Sequence, residues 1–259
     1  SWCQGIEGEI DSSHISWLHK YTDDSQRPIP IPPHLRVARL DGSPRLSLRE
    51  TDYGFMYGAR RNDRDNRYYW RVNQWLIPAY SLISNSTWRY HGRAWIPIDD
   101  HHVTTFSYTF KTNSAFSEEE IANIESGDTF PPVATYRPYY LKDGYVIDIN
   151  VPASTKENDY LIDRQIQKSV NFTGIPGIND QDRSIQESMA SSGGINSGSI
   201  VDRSKEHLGT SDLPVIALRR RMIRMAKDLQ SGIEPTIAAD PGLYQMRPFE
   251  NAYTTIETF

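Results

Sequence analysis

One cysteine, Cys3, occurs in the 259 residues, and that scarcity removes several chemistries at once. A single thiol cannot form an intrachain disulfide, a thiolate zinc site or an iron–sulfur cluster, each of which needs several thiolates or histidines at close spacing. It also points to a reducing, cytoplasmic setting. Positive charge is short as well: 28 Lys and Arg against 33 Asp and Glu leave a formal charge of −5. That is the wrong sign for a surface that tracks nucleic-acid phosphates. No apolar run reaches the roughly 18 residues of a membrane span, and no basic-then-apolar signal peptide opens the chain. The chain therefore reads as soluble, with neither nucleic acid nor membrane as a partner. It opens Ser1-Trp2-Cys3 without a methionine, as a processed chain or a fragment does.

Aromatic residues, by contrast, are plentiful: 15 Tyr, 8 Phe and 6 Trp, concentrated between residues 52 and 145 in stretches that read as strands. Strands are expected at Leu35 to Leu40, Arg45 to Glu50, Tyr53 to Arg61, Tyr68 to Ile83, Trp88 to Ile98 and Val103 to Lys111. The last two flank Asp99-Asp100-His101-His102 and read as an antiparallel hairpin, with the aspartates as turn formers. Ser117 followed by three glutamates is a capped helix start. Ser211 is the expected N-cap of a long helix running to about Gln230, with Val215, Leu218, Met222, Ala226 and Leu229 as its buried stripe. Its outer face carries Arg219, Arg220, Arg221, Arg224 and Lys227, read as a solvated face with a docking surface as the alternative. Arg27 to Pro33 is too rich in proline for a helix or central strand, and Ser191 to Ser199 has the composition of a mobile linker. Helix, many antiparallel strands, then helices is the α+β pattern: a curved antiparallel sheet with helices on one face.

The first twenty residues hold the sharpest chemical signal, Glu7, Glu9, Asp11, His14 and His19. Imidazole and carboxylate together suit divalent iron or zinc. On a regular helix of about 100° per residue, Asp11 and His14 lie about 60° apart but His14 and His19 about 140° apart. They can share one ion only if the helix ends or distorts between them; otherwise each histidine is an ordinary core or capping residue.

The order Trp2, Gln4, Glu7-Gly8, Asp11, His14, His19 resembles the iron-ligand motif of Rieske-type aromatic-ring-hydroxylating oxygenase large subunits, in particular the phthalate 4,5-dioxygenase group. The resemblance continues through Tyr68-Tyr69-Trp70-Arg71, Trp95-Ile96-Pro97-Ile98-Asp99-Asp100, Asn158 to Arg164 and Asp202 to Asp212. It implies a helix-grip fold of the START and Bet v 1 type, spanning residues 1–259 as one catalytic domain. It further implies mononuclear Fe(II) held by His14, His19 and an aspartate opening a late helix, where Asp182 fits the motif and Asp180 is the rival. Both can instead simply favour the helix N-terminus. Asp11 is implied to hydrogen-bond His14 and to carry electrons from the Rieske centre of a neighbouring subunit, with helix capping as the plainer role.

Ring hydroxylation by dioxygen follows from the resemblance, as dioxygenation or, in relatives such as the O-demethylases, monooxygenation. Electrons come from NAD(P)H through a reductase, and the assembly is a homotrimer or stacked trimers. If the substrate is an aromatic carboxylate, an arginine is its suitable partner. Arg60, Arg61, Arg71 and Asn73 lie on expected strands, and Ser12 adds a hydroxyl. Ser191 to Ser199 is an expected lid, and it looks longer than the family's usual link. A complete enzyme of this family also carries an N-terminal Rieske domain whose [2Fe–2S] cluster takes two Cys and two His. With one cysteine, these residues are expected to be the catalytic half alone. Two other classes share the expected fold or ligand set: a cavity-based carrier without metal, and a zinc hydrolase.

Overall fold

Strand register shows how the aromatic-rich stretch folds. The computed structural model of the chain describes residues 1–23, 31–84, 89–126, 136–140, 143–144, 146–189 and 203–253. These group into two compact units, the first comprising Ser1–Trp17, Ile29–Ala115 and Ser199–Phe259, the second Leu18–Pro28 and Phe116–Gly198.

The first unit is built on an antiparallel sheet ordered β1 (Arg45–Thr51), β2 (Gly54–Asn62), β3 (Tyr68–Leu76), β4 (Tyr80–Ile83), β5 (Tyr90–Pro97) and β6 (Val103–Phe110). A seventh strand, β9 (Phe249–Tyr253), pairs with the first half of β3, from Tyr68↔Tyr253 to Val72↔Phe249. The fold is thus α+β, with helix α1 (Trp2–Ile10) packed on the sheet. Ile6 and Ile10 of α1, one turn apart, join Phe55, Tyr57, Trp75 and Trp95 of the sheet in the core. Each such side chain withdrawn from water contributes roughly 1.5–3 kcal/mol. Gly5 makes the approach possible, because a Cβ there would lie 2.2 Å from a ring carbon of Trp95.

Several sequence expectations are corrected here. Leu35 to Leu40 belongs to helix α2 (Pro33–Leu40), not to a strand. Pro33 stands in the first turn, where its missing N–H costs nothing. Buried His34, Leu35, Val37 and Ala38 fall at helical spacing. The expected loop from Arg27 thus ends before Pro33, and its residues 27–30 lie outside the described residues. Tyr68 to Ile83 is two strands, broken at Ile77-Pro78-Ala79, since proline cannot donate to a ladder.

Helix α6 (Leu213–Gln230) has Asp212 as its N-cap position, Ser211 being inside the preceding 3-10 turn Thr210–Asp212. Val215 and Leu218 are buried and Met222 packs against the core, whereas Ala226 and Leu229 are exposed. Periodicity marks the apolar face of a helix but not how far its neighbour extends along it. Arg219 also leaves the expected solvated face: its Nε donates to Glu7 Oε1 at 2.7 Å, and its other nitrogens engage Glu206.

The second unit contains α3 (Glu118–Glu125), the hairpin β7 (Tyr136–Tyr140) and β8 (Val146–Pro152), α4 (Arg164–Ser169) and α5 (Ile178–Ser188). Ser117 caps α3 as expected, accepting from Glu120 N at 3.2 Å. Asp163 caps α4 by accepting from Gln165 N at 2.7 Å and Ile166 N at 3.1 Å. The Ser191 to Ser199 stretch and Asp202 lie outside the described residues.

Candidate metal centre

In the first unit, α1 stops at Ile10 because Asp11 adopts an extended backbone (φ −83°, ψ 110°), and a separate 3-10 turn spans His14–Ser16. No regular helix therefore joins His14 to His19, and the 140° objection falls away. Asp11 Oδ2 lies 3.5 Å from His14 Nδ1, and its Oδ1 accepts from Ser13 N at 2.7 Å. Burial raises the Asp11 carboxyl, but contact with His14 and the N–H groups of Ser13 and His14 outweigh it, holding it below the ordinary range. An ionised Asp11 facing Nδ1 orients the ring with Nε2 directed away.

The turn carrying these residues is tied to the sheet. Buried Arg61 donates from Nη2 to Ser12 O at 2.6 Å and from Nε to Asp41 O at 3.1 Å. Burial, then the neighbouring Arg71 charge, pushes the Arg61 pKa down to about 10. Ser12 Oγ donates to Tyr57 Oη at 3.5 Å, and Asn73 Nδ2 donates to the same oxygen at 2.8 Å. Ser84 continues the network: its N–H donates to Asn73 Oδ1 at 2.8 Å and its carbonyl accepts from Arg71 Nε at 2.7 Å. Of the expected substrate residues, Ser12, Arg71 and Asn73 thus share one buried polar network. Arg60 does not join them. Adjacent to Arg61 on β2, it points to the opposite face of the sheet and stacks over the Tyr68 ring at 4.5 Å.

In the second unit, α5 brings Gln181 and Asp182 to the two ring nitrogens of His19. His19 Nε2 lies 3.1 Å from Asp182 Oδ1, and His19 Nδ1 lies 2.8 Å from Gln181 Oε1. The segment after His19 is held by an isolated antiparallel bridge between Tyr21 and Asn171, with Phe172 N donating to Lys20 O at 2.9 Å. The rival Asp180 is engaged elsewhere, its Oδ1 accepting from Arg183 Nη2 at 2.6 Å. The Asn158 to Arg164 motif braces the same helix. Asp159, Tyr160 and Leu161 all adopt left-handed φ of 51°, 53° and 54°, a costly run for residues bearing side chains. The turn delivers Tyr160 to α5, where its hydroxyl donates to Glu187 Oε2 at 2.7 Å.

Other candidates carry ordinary roles. Burial, followed by Glu7, pushes the Cys3 thiol up to about 11, which keeps it protonated and a poor nucleophile. Asp99 Oδ1 accepts from the N–H groups of His101 and His102, both at 2.7 Å, closing the β5–β6 turn as expected. Sequence reasoning missed Gln181, because a lone glutamine beside an aspartate carries no motif and its partner lies 162 positions away.

Residues 1–252 match the family described as LigXa C-terminal domain like. The chain is 30% identical over 233 residues to the 3-chlorobenzoate-3,4-dioxygenase oxygenase subunit of Comamonas testosteroni, covering 86% of this chain and 50% of that protein. It is 32% identical over 248 residues to the phthalate 4,5-dioxygenase oxygenase subunit of Pseudomonas putida, covering 90% and 50% respectively. A third relative, at 22% identity over 250 residues, is the 5,5'-dehydrodivanillate O-demethylase oxygenase subunit of a Sphingobium species, covering 96% of this chain and 47% of that protein. The chain spans about half the length of the curated relatives it matches. With the match running from residue 1 to residue 252, the chain belongs to the LigXa C-terminal domain like family.

Proposed function

We propose that these residues form the catalytic domain of a Rieske-type aromatic-ring-hydroxylating oxygenase, in which His14, His19 and Asp182 hold one mononuclear ferrous ion. The observation that carries the reading is the approach of His19 Nε2 to Asp182 Oδ1 at 3.1 Å. With Nδ1 facing the Gln181 oxygen, Nε2 presents a lone pair, and a carboxylate oxygen presents another. Two acceptors at that distance repel unless a proton or a metal cation lies between them, and an imidazole nitrogen beside a carboxylate oxygen suits a divalent ion. Two imidazoles and one carboxylate are the ligand set of non-haem iron oxygenases. When bound, ferrous iron supplies the open coordination positions at which dioxygen is activated.

The remaining steps fall to the chain's own residues. Asp11, half-exposed and ionised, orients His14 and offers a short path for electrons from the [2Fe–2S] Rieske centre of a neighbouring subunit. The substrate is an aromatic carboxylate, in keeping with the chlorobenzoate and phthalate in the names of two relatives. Its carboxylate pairs with a guanidinium of the buried network that contains Ser12, Arg71 and Asn73, since a buried arginine matches a carboxylate in shape and charge. Arg60, on the opposite face, serves that purpose only from a different side of the sheet. The assembled enzyme takes electrons from NAD(P)H through a reductase and forms a homotrimer or stacked trimers. It works in the cytoplasm, where its reduced cofactors are supplied; among the described residues no helix is long and apolar enough to cross a membrane.

Anaerobic loading with Fe(II), followed by metal analysis, tests the ligand set. One iron per chain is expected, lost in His14→Ala, His19→Ala and Asp182→Ala; full occupancy in any of the three refutes that ligand. Preference for zinc points instead to a hydrolase, and absence of metal binding to a carrier. In the complete enzyme, Asp11→Asn is expected to keep its iron and lose turnover, and unchanged turnover removes the electron-transfer role.

A further inference from the structure

We infer that Gln181 is a positioning residue that sets the tautomer of His19 and thereby aims its Nε2 lone pair at the metal position beside Asp182. The inference rests on the reading of His19 and Asp182 as ligands. Gln181 is 1% exposed, and an amide that deep needs partners at both ends. Its Nε2 donates to the Ile175 carbonyl at 2.7 Å, while Oε1 lies 2.8 Å from His19 Nδ1. A backbone carbonyl can only accept, so the NH2 end must face Ile175 and the oxygen end must face the imidazole.

That orientation decides the proton. An amide oxygen also only accepts, so His19 Nδ1 carries the hydrogen, and in neutral imidazole Nε2 is then the lone pair. Gln181 and Asp182 are consecutive on α5, so one helix brackets both nitrogens of the ring. The Ile175 carbonyl is itself fixed: Asn171 Nδ2 donates to it at 3.0 Å, and Asn171 bridges back to Tyr21, two residues after His19. The closed circuit from His19 through Gln181, Ile175, Asn171 and Tyr21 leaves the imidazole little freedom to rotate. A glutamate at 181 would still accept from Nδ1 but would lose the bond to Ile175.

The tautomer is read directly on the metal-free 259-residue protein labelled with 15N-histidine, by long-range proton–nitrogen correlation at alkaline pH, with His19→Ala assigning the resonance. In the wild type the ring is expected to carry a proton on Nδ1, either as the neutral Nδ1–H form or as an imidazolium that shares its second proton with Asp182; finding the Nε2–H form with Nδ1 bare overturns the inference, whatever the variants do. Gln181→Met keeps the length and removes the acceptor. It is expected to mix the tautomers and to weaken Co(II) binding by about 10- to 100-fold, as loss of a partner behind a metal ligand does. Gln181→Glu restores an acceptor and is expected to recover the Nδ1–H form and Co(II) binding. Equal weakening in both variants with an unchanged tautomer means that Gln181 only packs, and the inference fails. If His19→Ala loses Co(II) while Gln181→Met binds it as the wild type does, the inference falls and the ligand assignment stands. Full Co(II) binding by His19→Ala overturns the ligand assignment itself.

Discussion

His91 lies buried on β5, its Nδ1 2.9 Å from Thr109 Oγ1. Burial, followed by the Arg89 and Arg93 charges, pushes its pKa down to about 3 from the ordinary value of 6.5. Between those two values the unfolded chain binds a proton that the folded chain refuses. Stability therefore rises with pH across that window and is lost as pH falls, at up to about 1.4 kcal/mol per pH unit. From about pH 7 to about pH 5 the wild type is expected to lose roughly 2 kcal/mol more than His91→Gln. Urea unfolding at the two pH values measures the difference, and equal losses would show that His91 does not refuse its proton in the fold. At this scale, the resemblance singled out His14, His19 and Asp11, which spacing alone left open. Gln181 was not legible, because what defines it is a pair of hydrogen bonds between segments far apart in the chain.

Local patterning predicted most of the elements, and its errors share a cause. Leu35 to Leu40 is short enough for its apolar residues to suit either period, and the decision came from Pro33 in the first turn and from the buried face that α2 meets. The α6 stripe was right in direction and too long in extent, since exposure of Ala226 and Leu229 depends on where the core ends. Gly5 is the clearest element-scale test. Alanine gains about 1 kcal/mol of helix propensity over glycine. A Cβ placed 2.2 Å from Trp95, however, forces α1 off the sheet, and such overpacking costs about 1–3 kcal/mol or more. Gly5→Ala is expected to lower the urea midpoint; an unchanged or higher midpoint would mean that α1 shifts freely.

For the whole molecule, the cysteine count bears directly on electron supply. A Rieske cluster takes two Cys and two His, and these residues contain one cysteine. On the proposed oxygenase reading, the 259 residues given a reductase and NADH are expected to bind Fe(II) and an aromatic carboxylate without sustained NADH oxidation. Turnover is expected only when a chain carrying the cluster is supplied. Sustained NADH-coupled hydroxylation by the 259 residues alone would overturn that assignment of labour. Metal binding should also show as stability, since a ligand that binds only the folded chain raises the melting temperature with its concentration. Chelation is expected to reverse the rise.

The amino-acid sequence by itself determined the β5–β6 hairpin and the capped start of α3, because each depends on residues within a few positions of one another, and the α+β class, because it follows from the order of elements along the chain. The preference for Asp182 over Asp180 came from the resemblance alone. Tertiary structure alone decided that Asp180 pairs with Arg183 while Asp182 faces His19, that Arg60 is turned away from Arg71 and Asn73, and that a buried glutamine stands behind the imidazole. Those outcomes depend on which side chains meet across long chain separations, and neither spacing nor propensity encodes such meetings until the backbone has brought them together.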